Sequence, residues 1–236
     1  MTLQEIIDDS KRIVFFGGAG VSTESGIPDF RSEDGLYHQQ FKYPPEQMLS
    51  YSFYKSHPAE FYRFYRDKMI AIGYKPNAAH YKLAELEKAG KLSAVITQNI
   101  DGLHTDAGSK NVIELHGTVR RNYCEECGRQ YSVEAIVRTR GIPTCTCGGR
   151  IKPGIVLYEE PLDETALRQA IYEVSQADTL IVGGTSLVVY PAAGLLGYFK
   201  GKHLVIINRS ETSADKQAEL VINDSIGETL GKIKVN

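Results

Sequence analysis

Cysteine is missing from 232 of the 236 positions; its four copies all fall between residues 124 and 147. That distribution does not suit a secreted disulfide framework, in which cysteines spread through the chain. A surplus of either charge is also missing, with 27 Lys and Arg against 29 Asp and Glu and a formal net charge of −2. Such balance gives no electrostatic case for general nucleic-acid binding, and none is expected. The opening Met1-Thr2-Leu3-Gln4-Glu5 has neither a basic stretch nor the apolar run that would follow it in a secretory signal. One run, 179–199, goes 21 residues without a charge, long enough to span a membrane. It holds Gly183, Gly184, Thr185, Ser186, Pro191, Gly194 and Gly197, a pattern fitting a buried strand, a tight loop and a packed helix. A cytoplasmic protein with no membrane partner is expected. Repeats, low-complexity tracts and long flexible linkers are absent too. With 42% hydrophobic and 24% charged residues, the length suits one large domain plus a small module.

What the chain does have is a tight cysteine cluster, Cys124-Glu125-Glu126-Cys127 and then Cys145-Thr146-Cys147. Each pair brings two thiolates within reach of one ion, and the 17 residues between the pairs can form a hairpin that joins them. A single tetrahedral zinc ion with four sulfur ligands is the natural occupant, and two disulfides are the alternative.

Short apolar runs recur at 13–16, 94–96, 112–115, 179–182 and 204–207, each closing in a polar or glycine-rich loop. They are continuous rather than alternating, which predicts strands buried on both faces of a parallel sheet. Helix-like segments at 77–88 and 163–176 lie between them, so the expected class is an open α/β sheet. Two stretches break the rhythm. Residues 37–74 are rich in Tyr and Phe and read as helices without strands; residues 118–154 hold the cysteines. Both look like insertions that together build a smaller domain.

Ligands of open α/β sheets bind beyond the carboxyl ends of the strands. The first strand runs into Gly17-Gly18-Ala19-Gly20-Val21-Ser22-Thr23. Glycines there let backbone approach a pyrophosphate, and a following helix N-terminus would offer amides to it. As a dinucleotide fingerprint it is incomplete, because Thr23 stands where the third glycine belongs. The loop continues into Gly26-Ile27-Pro28-Asp29-Phe30-Arg31, where Arg31 could grip phosphate and Phe30 could wall off an apolar face. Read singly, each equally fits a packed aromatic or a surface charge. After the second strand comes Thr97-Gln98-Asn99-Ile100-Asp101, suited to ribose hydroxyls and a carboxamide, or simply to an Asx-rich turn. His116-Gly117 closes the third run; a His there can act as a general base, or be structural. Gly184-Thr185-Ser186 and Asn208 close the last two strands and could hold ribose or phosphate, or cap helices.

Taken together, Gly18-Ala-Gly-Val-Ser22, Gly26-Ile-Pro-Asp-Phe-Arg31, Thr97-Gln-Asn-Ile-Asp101, His116-Gly117, two cysteine pairs and Gly184-Thr-Ser186 closely resemble the sirtuins, the NAD-dependent protein deacylases. The likeness runs from about residue 13 to 226, and its compactness resembles bacterial or archaeal members. It implies a Rossmann-like NAD-binding domain from 1–36, 75–117 and 155–236, with a smaller domain made of the 37–74 helical insertion and a 118–154 zinc ribbon. By motif, Ala19, Gly20, Thr23 and Arg31 would hold the diphosphate and adjacent ribose, and Gly18 and Asp29 would also bind the cofactor. Phe30, Ile100 and Asp101 would form the nicotinamide pocket, with Asp101 bonding the carboxamide, and Gln98 and Asn99, the latter catalytic alongside His116, would order the nicotinamide ribose and a water. Gly184, Thr185, Ser186, Asn208 and Ile226 would meet the adenosine half. NAD would be consumed as co-substrate: the acyl oxygen attacks C1′ of the ribose, and His116 deprotonates a ribose hydroxyl. The products would be free lysine on the protein, nicotinamide and O-acetyl-ADP-ribose. The single zinc ion on Cys124, Cys127, Cys145 and Cys147 would be structural.

Two departures stand out. Many members carry Phe-Gly-Glu on the segment that pairs with substrate backbone; here the stretch reads Val156-Leu157-Tyr158-Glu159-Glu160, with a larger residue in place of Gly. Members selective for succinyl or malonyl groups carry Tyr-x-x-Arg, where this chain has Tyr62-Arg63-Phe64-Tyr65, so a neutral acyl group is expected. Competing readings are a protein ADP-ribosyltransferase using the same pocket, a nicotinamide-dependent reductase, and a zinc-ribbon binding module with Arg120 and Arg121.

Overall fold

A computed structural model describes residues 1–30 and 35–235. Among the described residues, nine strands form two sheets. In chain order they are β1 (Ile13–Gly17), β2 (Leu92–Thr97), β3 (Val112–Glu114), β4 (Gly117–Cys124), β5 (Gln130–Tyr131), β6 (Ile151–Ile155), β7 (Thr179–Gly183), β8 (His203–Ile207) and β9 (Leu220–Ile222). The larger sheet has the order β3-β2-β1-β7-β8-β9, with every pairing parallel. The five runs expected as strands all lie in it. β9 was not anticipated: three apolar residues at an edge carry too little pattern to stand out from a loop.

Alternate residues of the strands feed two separate cores, which is why the runs are apolar throughout. On one face Ile13, Phe15, Val95, Ile181 and Val205 pack with Ile6, Leu83, Leu86 and Leu230 of the helices Leu3–Asp9, Ala78–Lys88 and Ile226–Gly231. On the other, Val14, Phe16, Ala94, Ile96, Leu180 and Val182 meet Ala170 and Val174 of the helix Glu164–Gln176 and Leu195 of a 3₁₀ segment. The residues at which helices were expected to begin are their caps. The Asn77 side chain accepts from the Ala79 amide, and that of Asp163 from the Ala166 amide.

The tyrosines and phenylalanines of the insertion fill a third core. Phe53, Tyr54, Phe61, Tyr62 and Tyr65 pack with Val119, Ile136, Ile151 and Ile155 and with Cys124 and Cys145. Helices Pro45–Met48, Tyr51–Ser56 and Pro58–Phe64 and a π turn Tyr65–Met69 supply the aromatics, and the antiparallel sheet β5-β4-β6 supplies the other side. Tyr62 donates its hydroxyl to the Ile151 carbonyl (2.6 Å) and Tyr54 donates to Glu125 (2.8 Å). These two buried phenols thereby satisfy their polar ends across the two segments, whereas the buried Tyr65 hydroxyl has no hydrogen-bond partner among the described residues.

The uncharged run 179–199 comprises β7, a loop and the 3₁₀ segment Ala192–Tyr198. Among the described residues, no helix is long and apolar enough to cross a membrane.

Candidate active site at the switch point of the sheet

Strand order reverses between β1 and β7, the point at which open α/β sheets place a crevice at the carboxyl ends of their strands. The loops cross at very short range. The Gly20 amide donates to the Gly184 carbonyl (2.8 Å), and that of Gly18 to the Gly183 carbonyl (3.2 Å). A Cβ on Gly20 would lie 2.8 Å from the Gly184 Cα, and one on Gly184, at φ 59°, 2.4 Å from the Val21 nitrogen. The glycines are therefore needed by the crossing itself, whatever ligand approaches them. Among the described residues, no full helix follows β1 directly. Two 3₁₀ turns do, Ala19–Val21 and Thr23–Ser25, so the expected helix N-terminus is replaced by a few turn amides. Thr23, at the third glycine position, donates its hydroxyl to the Gly20 carbonyl (3.0 Å) and tightens the same turn.

Above the crossing lies a cleft of about 1040 Å³. The β1 loop brings Gly18, Ala19, Gly20, Thr23, Asp29 and Phe30 to it; the β2 loop brings Gln98, Asn99 and Ile100; His116 enters after β3. Gly184, Thr185 and Ser186 follow from β7, Asn208 from β8, and Ile226 from the last helix. Arg31 lies outside the described residues. Asp101 does not line the cleft. It is buried one layer behind, its carboxylate accepting from the Ser22 hydroxyl (2.7 Å) and the Leu103 amide (2.9 Å). Ser22 in turn accepts from the Asn99 amide group (3.1 Å), so a continuous chain runs from Asp101 through Ser22 to the cleft. Ser22 stood within the quoted glycine motif but its spacing offered no role, because a hydroxyl's partner there comes from a distant loop.

His116 occupies a turn between β3 and β4. Its Nδ1 lies 3.0 Å from the Gln98 carbonyl, which can only accept, so Nδ1 carries the proton and Nε2 the lone pair. Burial pulls its pKa below the ordinary histidine value and outweighs the opposing pull of the Gln98 carbonyl. The ring is thus neutral and basic near pH 7. Gln98 is fixed as well, donating from Nε2 to the Thr185 hydroxyl (3.0 Å) and tying the β2 loop to the β7 loop.

The segment after β6 forms another wall of the cleft, through Val156, Leu157, Tyr158, Glu159 and Glu160. It is bolted to the helical insertion. The Tyr158 amide donates to the Leu49 carbonyl and the Tyr51 amide to the Tyr158 carbonyl (both 3.0 Å). The hydroxyls of Tyr37 and Tyr158 lie 2.6 Å apart.

The four cysteines sit away from this cleft, their sulfurs all within 4.8 Å of one another. Cys124 and Cys147 are 3.4 Å apart, Cys127 and Cys145 3.6 Å, and Cys127 and Cys147 3.5 Å. A disulfide needs about 2.0 Å, whereas four sulfurs at ~2.3 Å from a tetrahedral zinc lie roughly 3.8 Å apart. The spacing fits one zinc ion held by all four thiolates and excludes the disulfide alternative. With four sulfur ligands no coordination position is left open for chemistry.

Comparison with known proteins agrees with this geometry. The Sir2 family model matches residues 18–191. The chain is 60% identical to an NAD-dependent protein deacetylase of Clostridium perfringens, covering 98% of this chain and 96% of that one. It is 59% identical to a protein of the same name from Clostridium acetobutylicum, covering 97% and 95%. Among solved structures, Sir2 with deacetylated p53 peptide and 3′-O-acetyl ADP ribose superposes with a TM-score of 0.89 at 44% identity, covering 98% of this chain and 96% of that chain. A Sir2 homologue in complex with NAD gives 0.89 at 39% identity, covering 98% and 90%.

Proposed function

The chain belongs to the Sir2 family, and from that premise we infer how its residues divide the work. It is an NAD-dependent protein deacetylase: NAD is consumed, lysine is freed on the substrate protein, and nicotinamide and O-acetyl-ADP-ribose leave. Transfer of ADP-ribose to protein is not favoured by these relatives.

His116 carries the reading at residue level. We assign it the role of general base toward a ribose hydroxyl, supported by its fixed tautomer, its lowered pKa and its place in the cleft. Asn99 is the second catalytic group, ordering the nicotinamide-side ribose and a water with Gln98. Gly18, Ala19, Gly20, Thr23 and Asp29, with Arg31, serve the diphosphate side. Phe30 and Ile100 wall the nicotinamide pocket. The carboxylate of Asp101 would accept from the carboxamide on a lone pair left free beside its bonds from Ser22 and Leu103. Gly184, Thr185, Ser186, Asn208 and Ile226 serve the adenosine half. The four thiolates would hold zinc as a structural staple and supply no step of the reaction. The division into an NAD-binding domain and a small domain of 37–74 plus 118–154 is supported by the shared aromatic core of the latter two. A cytoplasmic enzyme acting on acylated proteins is the reading that fits four reduced, metal-poised cysteines.

Incubation with NAD and an acetyl-lysine peptide is expected to release nicotinamide only when both are present, with label from NAD appearing on a small acetylated product. Nicotinamide release that ignores the acetyl group, or label on protein, would overturn the assignment.

A further inference from the structure

Within the cleft wall, Glu159 departs from what its position favours. Its backbone lies at φ 75°, the left-handed region where a residue with a Cβ is strained and glycine is at ease. Its carboxylate is held at both oxygens by one residue: the Ser52 amide donates to Oε2 (2.8 Å) and the Ser52 hydroxyl to Oε1 (2.9 Å). The backbone before it is fixed by the pairing of Tyr158 with Leu49 and Tyr51, and after it the Glu160 amide donates to the Leu157 carbonyl (3.1 Å). A strained conformation persists only where the surroundings over-determine it, and here they fix a charge at the cleft.

That charge is not neutralised. Both donors from Ser52 are uncharged, and no cation among the described residues pairs with Glu159. Its neighbour Glu160 differs, because its carboxylate is taken up by the buried Lys152 (3.0 Å) and the Leu157 amide (2.8 Å). Glu159 is exposed and lines the cleft. An ordinary exposed ion pair is weak partly because two long side chains must be immobilised to make it. Here one of the two is already held.

We propose that Glu159 is a specificity-determining residue, its anchored carboxylate favouring acyl-lysine substrates with Lys or Arg next to the modified lysine. The inference rests on the deacetylase reading given above. An exposed pair of this kind is worth about a three- to fivefold difference in kcat/KM, and salt screens it.

The test uses three acetyl-lysine peptides identical except for Arg, Ala or Glu on either side of the lysine, with nicotinamide release as the readout. The wild-type protein is expected to rank them Arg over Ala over Glu, in KM rather than kcat, with the ranking fading at high salt. In Glu159→Gln, which keeps an oxygen for Ser52 but no charge, the three peptides should converge. Ser52→Ala keeps the charge and loosens its anchor, so the ranking should narrow without vanishing. An unchanged Arg preference in Glu159→Gln, or an equal loss for all three peptides, overturns the inference alone. No release from any peptide by the wild-type protein overturns the deacetylase reading, and the inference with it.

Discussion

A single carbonyl decides which nitrogen of His116 can take a proton. Because the Gln98 oxygen occupies Nδ1, the basic lone pair belongs to Nε2, and burial keeps the ring neutral. His116→Ala is expected to lower kcat/KM by about 10²- to 10⁴-fold, the usual worth of a positioned base, while circular dichroism and zinc content stay as in the wild type. Neutral imidazole is the active form and its pKa is depressed, so kcat/KM should hold through neutral pH. It should fall only below the ordinary histidine range. An acid limb centred above pH 6.5 would contradict the geometry. His116, the glycines and the cysteines were legible in the sequence because each is a residue type with few uses, set beside a strand end. Asp101 was less so. Its identity fits a carboxamide ligand, but its burial behind Ser22 depends on a loop some 80 residues earlier, a contact that local pattern does not encode.

At the scale of elements, the cysteine module and the helical insertion depend on each other. Cys124 and Cys145 are part of the same aromatic core as Phe61 and Tyr65, while β4 to β6 contribute one small three-stranded sheet. So little sheet has few long-range pairings of its own, and a metal link offsets that deficit. Purified protein is expected to carry one zinc per chain. Cys124→Ala, or prolonged chelation, should make the small domain sensitive to protease and abolish deacetylation, whereas His116→Ala should retain the metal. A Cys124→Ala protein with full protease resistance and activity would remove the structural role. The long apolar strands and the capped helices were readable because burial on both faces and a cap each leave a repeated mark. β9 and the 3₁₀ turns after β1 were not, since three residues cannot establish a period and the turns owe their form to the Gly184 loop.

For the molecule as a whole, acid is the weak side. His80 is pushed down to about 4, by burial chiefly, with Asp101 pulling the other way; His104 lies well below its usual range through burial and then His80. Their rings stand 4.6 Å apart behind the cleft, and the His80 Nδ1 accepts from the Asn77 amide (3.2 Å). The folded chain refuses protons that the unfolded chain takes up below about pH 6.5. Stability is then fully present above that value and is lost as pH falls toward 4, by about 1.4 kcal/mol per pH unit for each imidazole. His203 offsets this only at the top of the range: burial lowers its pKa, but Glu219 and Asp9 outweigh that and raise it, so its contribution grows as pH falls to about 6.5 and is level below, where the loss from His80 and His104 is unopposed by it. Urea midpoints should fall clearly between pH 7 and pH 5, and equal midpoints would refute the account.

The crossing of Gly18 and Gly20 with Gly184 also bears on what binding costs. Two loops that share backbone hydrogen bonds cannot fluctuate independently, so one half of a dinucleotide does not have to order the surface that receives the other. The entropy of assembling that surface is spent when the chain folds, and a ligand spanning both loops meets a site already in shape.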